Sequence, residues 1–235
     1  MSIPFFYISN YNPSEKTIVL DEETSRHVVQ VLRMKEGEKL NLTDGKGNLI
    51  STEIAEAHKK NCLVNIQQSI FNSQHSRKIT IAISLLKNTS RFEWFLEKAT
   101  EIGVSEIIPL ICERTEKEKF RFERMKGICI SAMLQSQQCW LTTLHEPVQL
   151  ANLPISQFAS HQKYIAHCLE GSKKELAHQQ IVKSDNQIIL IGPEGDFTKS
   201  EIKLALKNNF KPVSLGETRL RTETAGVVAA SLLCI

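Results

Sequence analysis

Apolar residues recur with two different periods along the chain, and the change of period marks two regions. In residues 1–73 short runs alternate apolar and polar side chains, the pattern of a strand with one buried face. Ile3–Ile8 is one such run, and Lys39–Thr43 (KLNLT) alternates most regularly. Asp44-Gly45-Lys46-Gly47-Asn48 follows with the residues of a tight turn, so Lys39–Thr43 and Leu49–Ala55 are expected to pair as a hairpin. Asn61–Ser69 reads as another strand, and a short helix near Thr24–Met34 interrupts the series. The expectation is a small β-barrel with one helix. Residues 72–78 are polar and aperiodic, as a linker would be.

Residues 74–235 alternate strands with helices. Lys78–Leu86 is a continuous apolar run suited to a strand buried on both faces. Ser90 and Glu93 have the spacing of a capping box; Phe92, Phe95, Leu96, Ala99 and Ile102 form one apolar face, and Gly103 closes the helix. Glu106–Ile111 is the next strand, where Pro109 predicts an edge or a bend. A long helix is expected over Arg121–Gln138, with short strands at Tyr164–Cys168, Gln187–Ile191 and Pro212–Leu215. Thr198 and Glu201 form a second capping box for a helix through Asn208, and Thr222–Leu233 is a final helix rich in small residues. Such alternation predicts an α/β domain with a mostly parallel sheet and helices on both faces.

A length of 235 residues suits one large domain or two modest ones, and 41% hydrophobic with 23% charged residues is ordinary for a globular protein. The formal charge of +3 excludes a bulk nucleic-acid condenser, so any RNA binding must come from local basic patches. None of the six cysteines forms a C-x-x-C pair and no His pair has metal-ligand spacing, which argues against zinc and against a disulfide framework. They read as small buried hydrophobes in a reducing compartment. The first residues lack a basic and then apolar leader, and no window approaches the ~20 apolar residues of a membrane span. A cytoplasmic protein with no membrane partner and no metal is expected.

Three segments carry candidate chemistry. In Ile188–Phe197 (IILIGPEGDF) a buried strand runs into Gly192-Pro193-Glu194-Gly195-Asp196, a tight turn that exposes backbone at a strand's carboxyl end. Open α/β sheets bind ligands at that edge, and the following helix aims its N–H groups there. Neither a Walker loop nor G-x-G-x-x-G is present. Spacing alone equally allows a turn whose glycines serve geometry only. In Val213–Ala230 a strand ends at Leu215-Gly216, Arg219 and Arg221 flank Leu220, and Glu223 and Thr224 begin the helix. A solvated loop capped by Thr222 or Glu223 is the plain alternative, but two such loops could close on one ligand. In Leu85–Ile102, Lys87 lies past a strand end and Arg91 in a first helical turn, where the helix dipole disfavours a cation. Either could also belong to a solvated face. The charged run Arg114–Lys126 reads as a solvated helix face. In the first region Arg26, His27, Arg33, Lys35 and Lys46 could form a phosphate-contacting patch, with His27 equally able to be structural.

At these motifs the chain resembles a known family. IGPEGDF followed by SLGETRLRTETA is similar to the ribosomal RNA small subunit methyltransferase E family of the SPOUT class. LLKNTSRFEWFLEKATEIGVSEIIPL matches as well, and RHVVQVLRMKEGEKLNLTDGKG resembles that family's PUA-like RNA-binding domain. The resemblance covers nearly the whole chain. One departure lies in the middle helix: many relatives carry E-Q-S-x-R where this chain has Leu134-Gln135-Ser136-Gln137-Gln138, so the acid and the arginine are absent.

The resemblance implies a PUA-like RNA-binding β-barrel over residues 1–73 and a SPOUT methyltransferase domain with a deep trefoil knot over 74–235, acting as a homodimer. It implies S-adenosylmethionine-dependent methylation of uridine N3 in 16S ribosomal RNA, free or within the small subunit. Cofactor-binding positions carried over are Ile191, Gly192-Pro193-Glu194-Gly195, Ser214-Leu215-Gly216, Leu220-Arg221-Thr222, Thr224-Ala225 and Leu169. Uridine N3 must lose a proton, and a cation beside the developing anion would help. Arg221 is the first choice, with Lys87 and Arg91 as alternates; Glu223 would orient Arg221 or accept the proton. The target base has to be unpaired or flipped out. A non-catalytic RNA-binding ribosome-assembly factor, or a methyltransferase of another RNA nucleotide, are the competing readings.

Overall fold

The alternating pattern of the first region becomes a five-stranded sheet. In the computed structural model, which describes residues 3–73, 77–169, 173–178 and 186–235, the chain divides into two units. The first comprises residues Met1–Gln74 together with Met133–Leu141. Its strands are β1 (Phe5–Tyr7), β2 (Thr17–Val19), β3 (Lys39–Thr43), β4 (Asn48–Glu56) and β5 (Leu63–Phe71), in the order β1-β3-β4-β5-β2. β1 pairs parallel with β3 and the other pairs are antiparallel. Inward residues Leu40, Leu42, Ile50, Ile54 and Val64 bury around Val28. The three-residue β2 was not expected, being too short to show alternation. The helix begins earlier than expected: Asp21 accepts the Thr24 N–H at 2.7 Å and caps α1 (Glu22–Arg26), with Glu22 and Glu23 favourable in its first turn. It continues as a π-helical turn, His27–Val31, closed by Leu32 N–H on the His27 carbonyl.

The β3–β4 tip is organised by one carboxylate. Asp44 accepts from the Lys46 N–H (2.8 Å), the Asn48 N–H (3.3 Å) and the Asn48 side-chain amide (2.7 Å). Residues 139–141 lie against this tip, with Gly47 N–H bonded to Cys139 O and Leu141 N–H to Gly45 O. Gly47 has φ +99°, and a Cβ there would stand 2.6 Å from the Trp140 ring. The chain turns into this strap because α3 (Phe122–Gln135) ends earlier than expected. Gln137 adopts φ 56°, Gln137 N–H reaches Leu134 O and Gln138 N–H reaches Met133 O, a Schellman closure made without glycine.

The second unit is an α/β layer structure with a mostly parallel sheet. The order is β11 (Lys174–Glu175), β13 (Lys211–Ser214), β10 (Gln162–Ala166), β12 (Gln187–Ile191), β6 (Ile79–Ser84), β7 (Glu106–Ile111) and β8 (Thr143–Leu144), with β9 (Val148–Gln149) also on β7. Every registered pair in it is parallel. Pro109 sits at a local edge within the sheet. It falls between β8, registered with Glu106 and Ile107, and β9, registered with Leu110 and Ile111, where no donor is needed. One face packs Ile188, Leu190 and Ile108 on Ile202 and Ala205 of α4 (Lys199–Lys207), which starts with the expected Thr198–Glu201 capping box. Against the other lie α2 (Thr89–Ile102) and α5 (Thr222–Cys234). The Ser90–Glu93 capping box does not form. Asn88 caps α2 by accepting the Ser90 N–H at 3.0 Å, and Glu93 instead binds Arg124 through both oxygens.

All six cysteines are unpaired, four of them buried, with Cys168 exposed. Burial pushes the Cys112 thiol up to about 12 and that of Cys234 to about 11. Among the described residues no grouping able to hold a metal ion occurs, and no helix is long and apolar enough to cross a membrane.

α5 approaches the sheet through Gly226, where a Cβ would stand 2.6 Å from the Phe95 ring and 2.9 Å from Ile83 Cδ1. Gly226→Ala is therefore expected to cost about 1–3 kcal/mol by overpacking, lowering the midpoint of thermal unfolding by several degrees. Gly127→Ala, on α3 with nothing within 4 Å of the new Cβ, is expected to raise it slightly. Equal midpoints for the two variants would refute the close approach.

Candidate functional site

β13, β10 and β12 lie side by side and end together, with Ala166 in register with both Val213 and Ile191. Their carboxyl ends open into a cleft of about 820 Å³. It is lined by residues 166–168, 173, 191–194, 196, 213–222 and 225. This is the edge where open parallel sheets bind ligands.

Each wall is fixed by local bonds. After β12, Asp196 N–H closes a turn on Pro193 O at 2.9 Å, and Asp196 itself takes φ 62°. Its carboxylate accepts from Phe197 N–H and from Cys168 N–H, both at 2.8 Å, joining the end of β12 to the end of β10. Arg114 donates to the Gly195 carbonyl at 2.6 Å, and a Cβ on Gly192 would meet the Phe197 ring at 3.1 Å. After β13, the Ser214 hydroxyl donates to Gly216 O at 3.0 Å, and Gly216 takes φ +127° with open space where a Cβ would stand. The Thr222 hydroxyl donates to Gly192 O at 3.0 Å, tying the two loops together.

The cleft combines apolar surface from Ile191, Leu215, Leu220 and Ala225 with Glu194, Glu217, Arg219 and Arg221. Such a wall offers both apolar contact and charged groups to a ligand. Arg221 is exposed, and its guanidinium has no ion-pair partner among the described residues. Glu223 does not orient Arg221. It is buried at the start of α5 and pairs with Arg91 Nε at 3.6 Å, leaving Oε2 buried and without a hydrogen-bond partner. Helix geometry decides this: on α5, Glu223 shares with Gly226 the face turned to α2, which carries Arg91. Lys87 is exposed and bonded to Glu116 at 2.6 Å. That bond raises its pKa, with a smaller contribution from the Glu194 carboxylate.

Of the expected cofactor positions, Ile191 to Glu194, Ser214 to Gly216, Leu220 to Thr222 and Ala225 come together in the cleft. Gly195, Thr224 and Leu169 are not among its described lining residues; Gly195 faces Arg114, and Leu169 is exposed beside residues 170–172, which lie outside the described residues. Sequence reasoning missed Ala166, His167, Cys168 and Lys173, and named Asp196 only as part of the turn. Lys173 donates to the His167 carbonyl at 2.9 Å. Burial lowers the His167 pKa, the Lys173 ammonium lowers it further, and Nδ1 is left buried without a partner. The polar pair that ends the run Tyr164–Cys168 was the available signal. In the first unit Arg26 is exposed and paired with Glu22, and His27 packs edge-on to Phe6 at 5.5 Å. Arg33 (φ 57°) and Lys35 are exposed at the exit of the helix, whereas Lys46 is exposed at the β3–β4 tip.

Comparison with known proteins places these features in context. The RNA methyltransferase domain family matches residues 73–234, and the RNA methyltransferase PUA domain family matches residues 20–67. The chain is 28% identical over 229 residues to a ribosomal RNA small subunit methyltransferase E from Rickettsia conorii, covering 95% of this chain and 91% of the relative. Among solved structures, a probable rRNA-methyltransferase from Porphyromonas gingivalis is 36% identical with a TM-score of 0.87, covering 99% of this chain and 98% of that one. A ribosomal RNA small subunit methyltransferase E from Neisseria gonorrhoeae bound to S-adenosyl methionine is 28% identical with a TM-score of 0.85, covering 98% and 96%.

The Arg91–Glu223 pair generates a stability prediction. Arg91→Ala leaves a buried carboxylate without its cation. Because Arg91 is 39% exposed, solvent screening holds the expected loss to about 1–2 kcal/mol, below that of a fully buried pair. Adding Glu223→Gln is expected to recover part of that loss. Urea unfolding of the four proteins of the double-mutant cycle measures the coupling, and strictly additive effects would refute it.

Proposed function

The chain belongs to the ribosomal RNA small subunit methyltransferase E family, and from that membership we propose that it transfers a methyl group from S-adenosylmethionine to N3 of a uridine in 16S ribosomal RNA. The observation that carries the reading is the single cleft made from the loops after β12 and β13 and tied by Thr222 to Gly192.

The residues present fit the cofactor. Ile191, Leu215 and Leu220 offer apolar surface to an adenosine, and the open space at Gly216 lets a ligand approach backbone. Glu194, Glu217 and Arg219 suit a sulfonium and an amino-acid tail. When bound, S-adenosylmethionine supplies a methyl already activated by its positive sulfur. The chain's own task is then alignment of the uridine and stabilisation of the charge that appears as N3 loses its proton. Arg221 is assigned the second role: it lines the cleft, it is exposed, and no carboxylate engages it among the described residues. Arg91 and Lys87 are each committed to an acid, Glu223 and Glu116. Thr224, Gly195 and Leu169 are kept as positions that shape the loops around the cofactor.

The wider reading has the same basis. The first unit acts as a PUA-like RNA-binding barrel, using Arg26, Arg33, Lys35 and Lys46 on phosphates of the small-subunit RNA. A trefoil knot in the second unit, against the usual rule, is supported by the Thr222 hook and by the packing of Gly226 on Ile83 and Phe95. Half-buried Val227, Val228 and Leu232 on the small-residue helix α5 support a homodimer. A cytoplasmic location follows from the substrate.

Arg221→Ala is expected to keep S-adenosylmethionine affinity within about threefold by calorimetry while lowering single-turnover methylation about 100-fold. An unchanged single-turnover rate would remove Arg221 from the chemistry. Cells lacking the gene are expected to lose 3-methyluridine from small-subunit RNA digests analysed by mass spectrometry, and its persistence would reject the assigned reaction.

A further inference from the structure

We propose that the Phe71–Trp140 face of the first unit is a stacking site for an unpaired base of the RNA substrate, with Lys46 beside it for a neighbouring phosphate; this rests on the RNA-methylating reading above. Phe71 ends β5 and is 63% exposed. Single exposed aromatics are common, but this ring does not stand alone. It meets the Trp140 indole edge-to-face, with centroids 5.9 Å apart and planes at 79°.

The indole is fixed from three sides. Its Nε1 donates to Asn72 O at 2.8 Å. Its backbone bridges antiparallel to Lys46, held by Gly47 N–H on Cys139 O and Leu141 N–H on Gly45 O. Its ring fills the space over Gly47 that a side chain would take. The pair is therefore pre-organised, and a base landing on it would order few side chains.

The surroundings select the occupant. Lys46 pairs opposite Trp140, so the two side chains emerge side by side. Asn48 lies in register with Phe71, and Ser69 precedes it on the same face of β5. The Ser69 hydroxyl and the Asn48 side-chain oxygen are hydrogen-bonding groups for base edges, the Asn48 amide being bonded to Asp44. The one acid at this tip, Asp44, is buried and consumed by the turn. An aromatic ledge with a cation and a polar rim matches single-stranded RNA, whose exposed bases stack on aromatic side chains. A protein partner would favour a broader apolar surround. This ledge adds a base-contacting element to the phosphate contacts assigned to Arg26, Arg33 and Lys35.

The full-length protein can be tested directly. Its two tryptophans are Trp94 and Trp140, so Trp94→Phe leaves Trp140 as the only indole fluorophore. Titration with a short single-stranded RNA of mixed sequence is expected to quench Trp140. In that background Phe71→Ala is expected to weaken RNA affinity about tenfold, as loss of one stacked base would, with S-adenosylmethionine affinity unchanged. Lys46→Glu is expected to weaken binding and to lower the slope of log affinity against log salt by about one. Phe71→Tyr, which keeps the ring, is expected to bind like the parent and guards against misreading a folding defect. RNA affinity unchanged in Phe71→Ala overturns the site while leaving the methylation reading intact. The same result with altered sedimentation of Phe71→Ala assigns the face to protein contact, which also overturns it. A parent protein that binds cofactor but no RNA overturns the site together with the reading on which it rests.

Discussion

The hydrogen bond from Thr222 to the Gly192 carbonyl is the constraint around which the site is built. β12 and β13 are not neighbours in the sheet, because β10 lies between them. Their loops can share one ligand only if both lean over the end of β10. The Asp196 carboxylate draws one loop onto the Cys168 backbone there, and the Thr222 hydroxyl fastens the other loop to the first. α5 starts at that hydroxyl, so the same contact positions the helix that packs through Gly226 against α2 and β6. The cleft and the helix packing are thus two sides of a single junction. Buried hydrogen bonds of this kind matter less for their net energy than for the cost of leaving a carbonyl unpaired.

Charge is distributed around this junction in a consistent way. Three cations were candidates for the chemistry, and the structure separates them by their partners. Arg91 neutralises Glu223 where a bare carboxylate would be costly. Lys87 is engaged by Glu116 at the surface. Arg221 lines the cleft and has no ion-pair partner among the described residues. The anomaly seen in the sequence, an arginine in the first turn of a helix, has a structural answer: its counter-ion comes from the N-terminus of another helix.

Signals contained within a few residues were legible in the sequence, and those that depended on distant parts of the chain were not. The β3 and β12 strands, the Thr198–Glu201 box and the Gly103 closure were all readable because pattern and cap lie within a dozen positions. The Ser90–Glu93 box had the right spacing but lost to Asn88, two residues earlier, while Glu93 was taken by Arg124 from another helix. Most of the cleft was visible as two glycine-bearing turns. The contribution of His167 and Cys168 was not, since the His-Cys pair after a short strand is a weak signal that acquires meaning only beside β12 and β13. Likewise the carboxylate of Glu223 was assigned to its sequence neighbour Arg221, whereas helix periodicity turned it towards α2.

The strap formed by residues 139–141 has a consequence for how the chain acquires its shape. Gly45 and Gly47 can present bare backbone only because Leu141 and Trp140 cover them, and those covering residues are translated well after β5. During synthesis the first sheet must therefore wait with its tip uncapped until roughly the middle of the polypeptide has left the ribosome. Closing that long loop adds little entropy relative to a shorter one, so the delay is one of timing more than of energy. Maturation of the first unit is in this way coupled to elongation through the segment between its two parts.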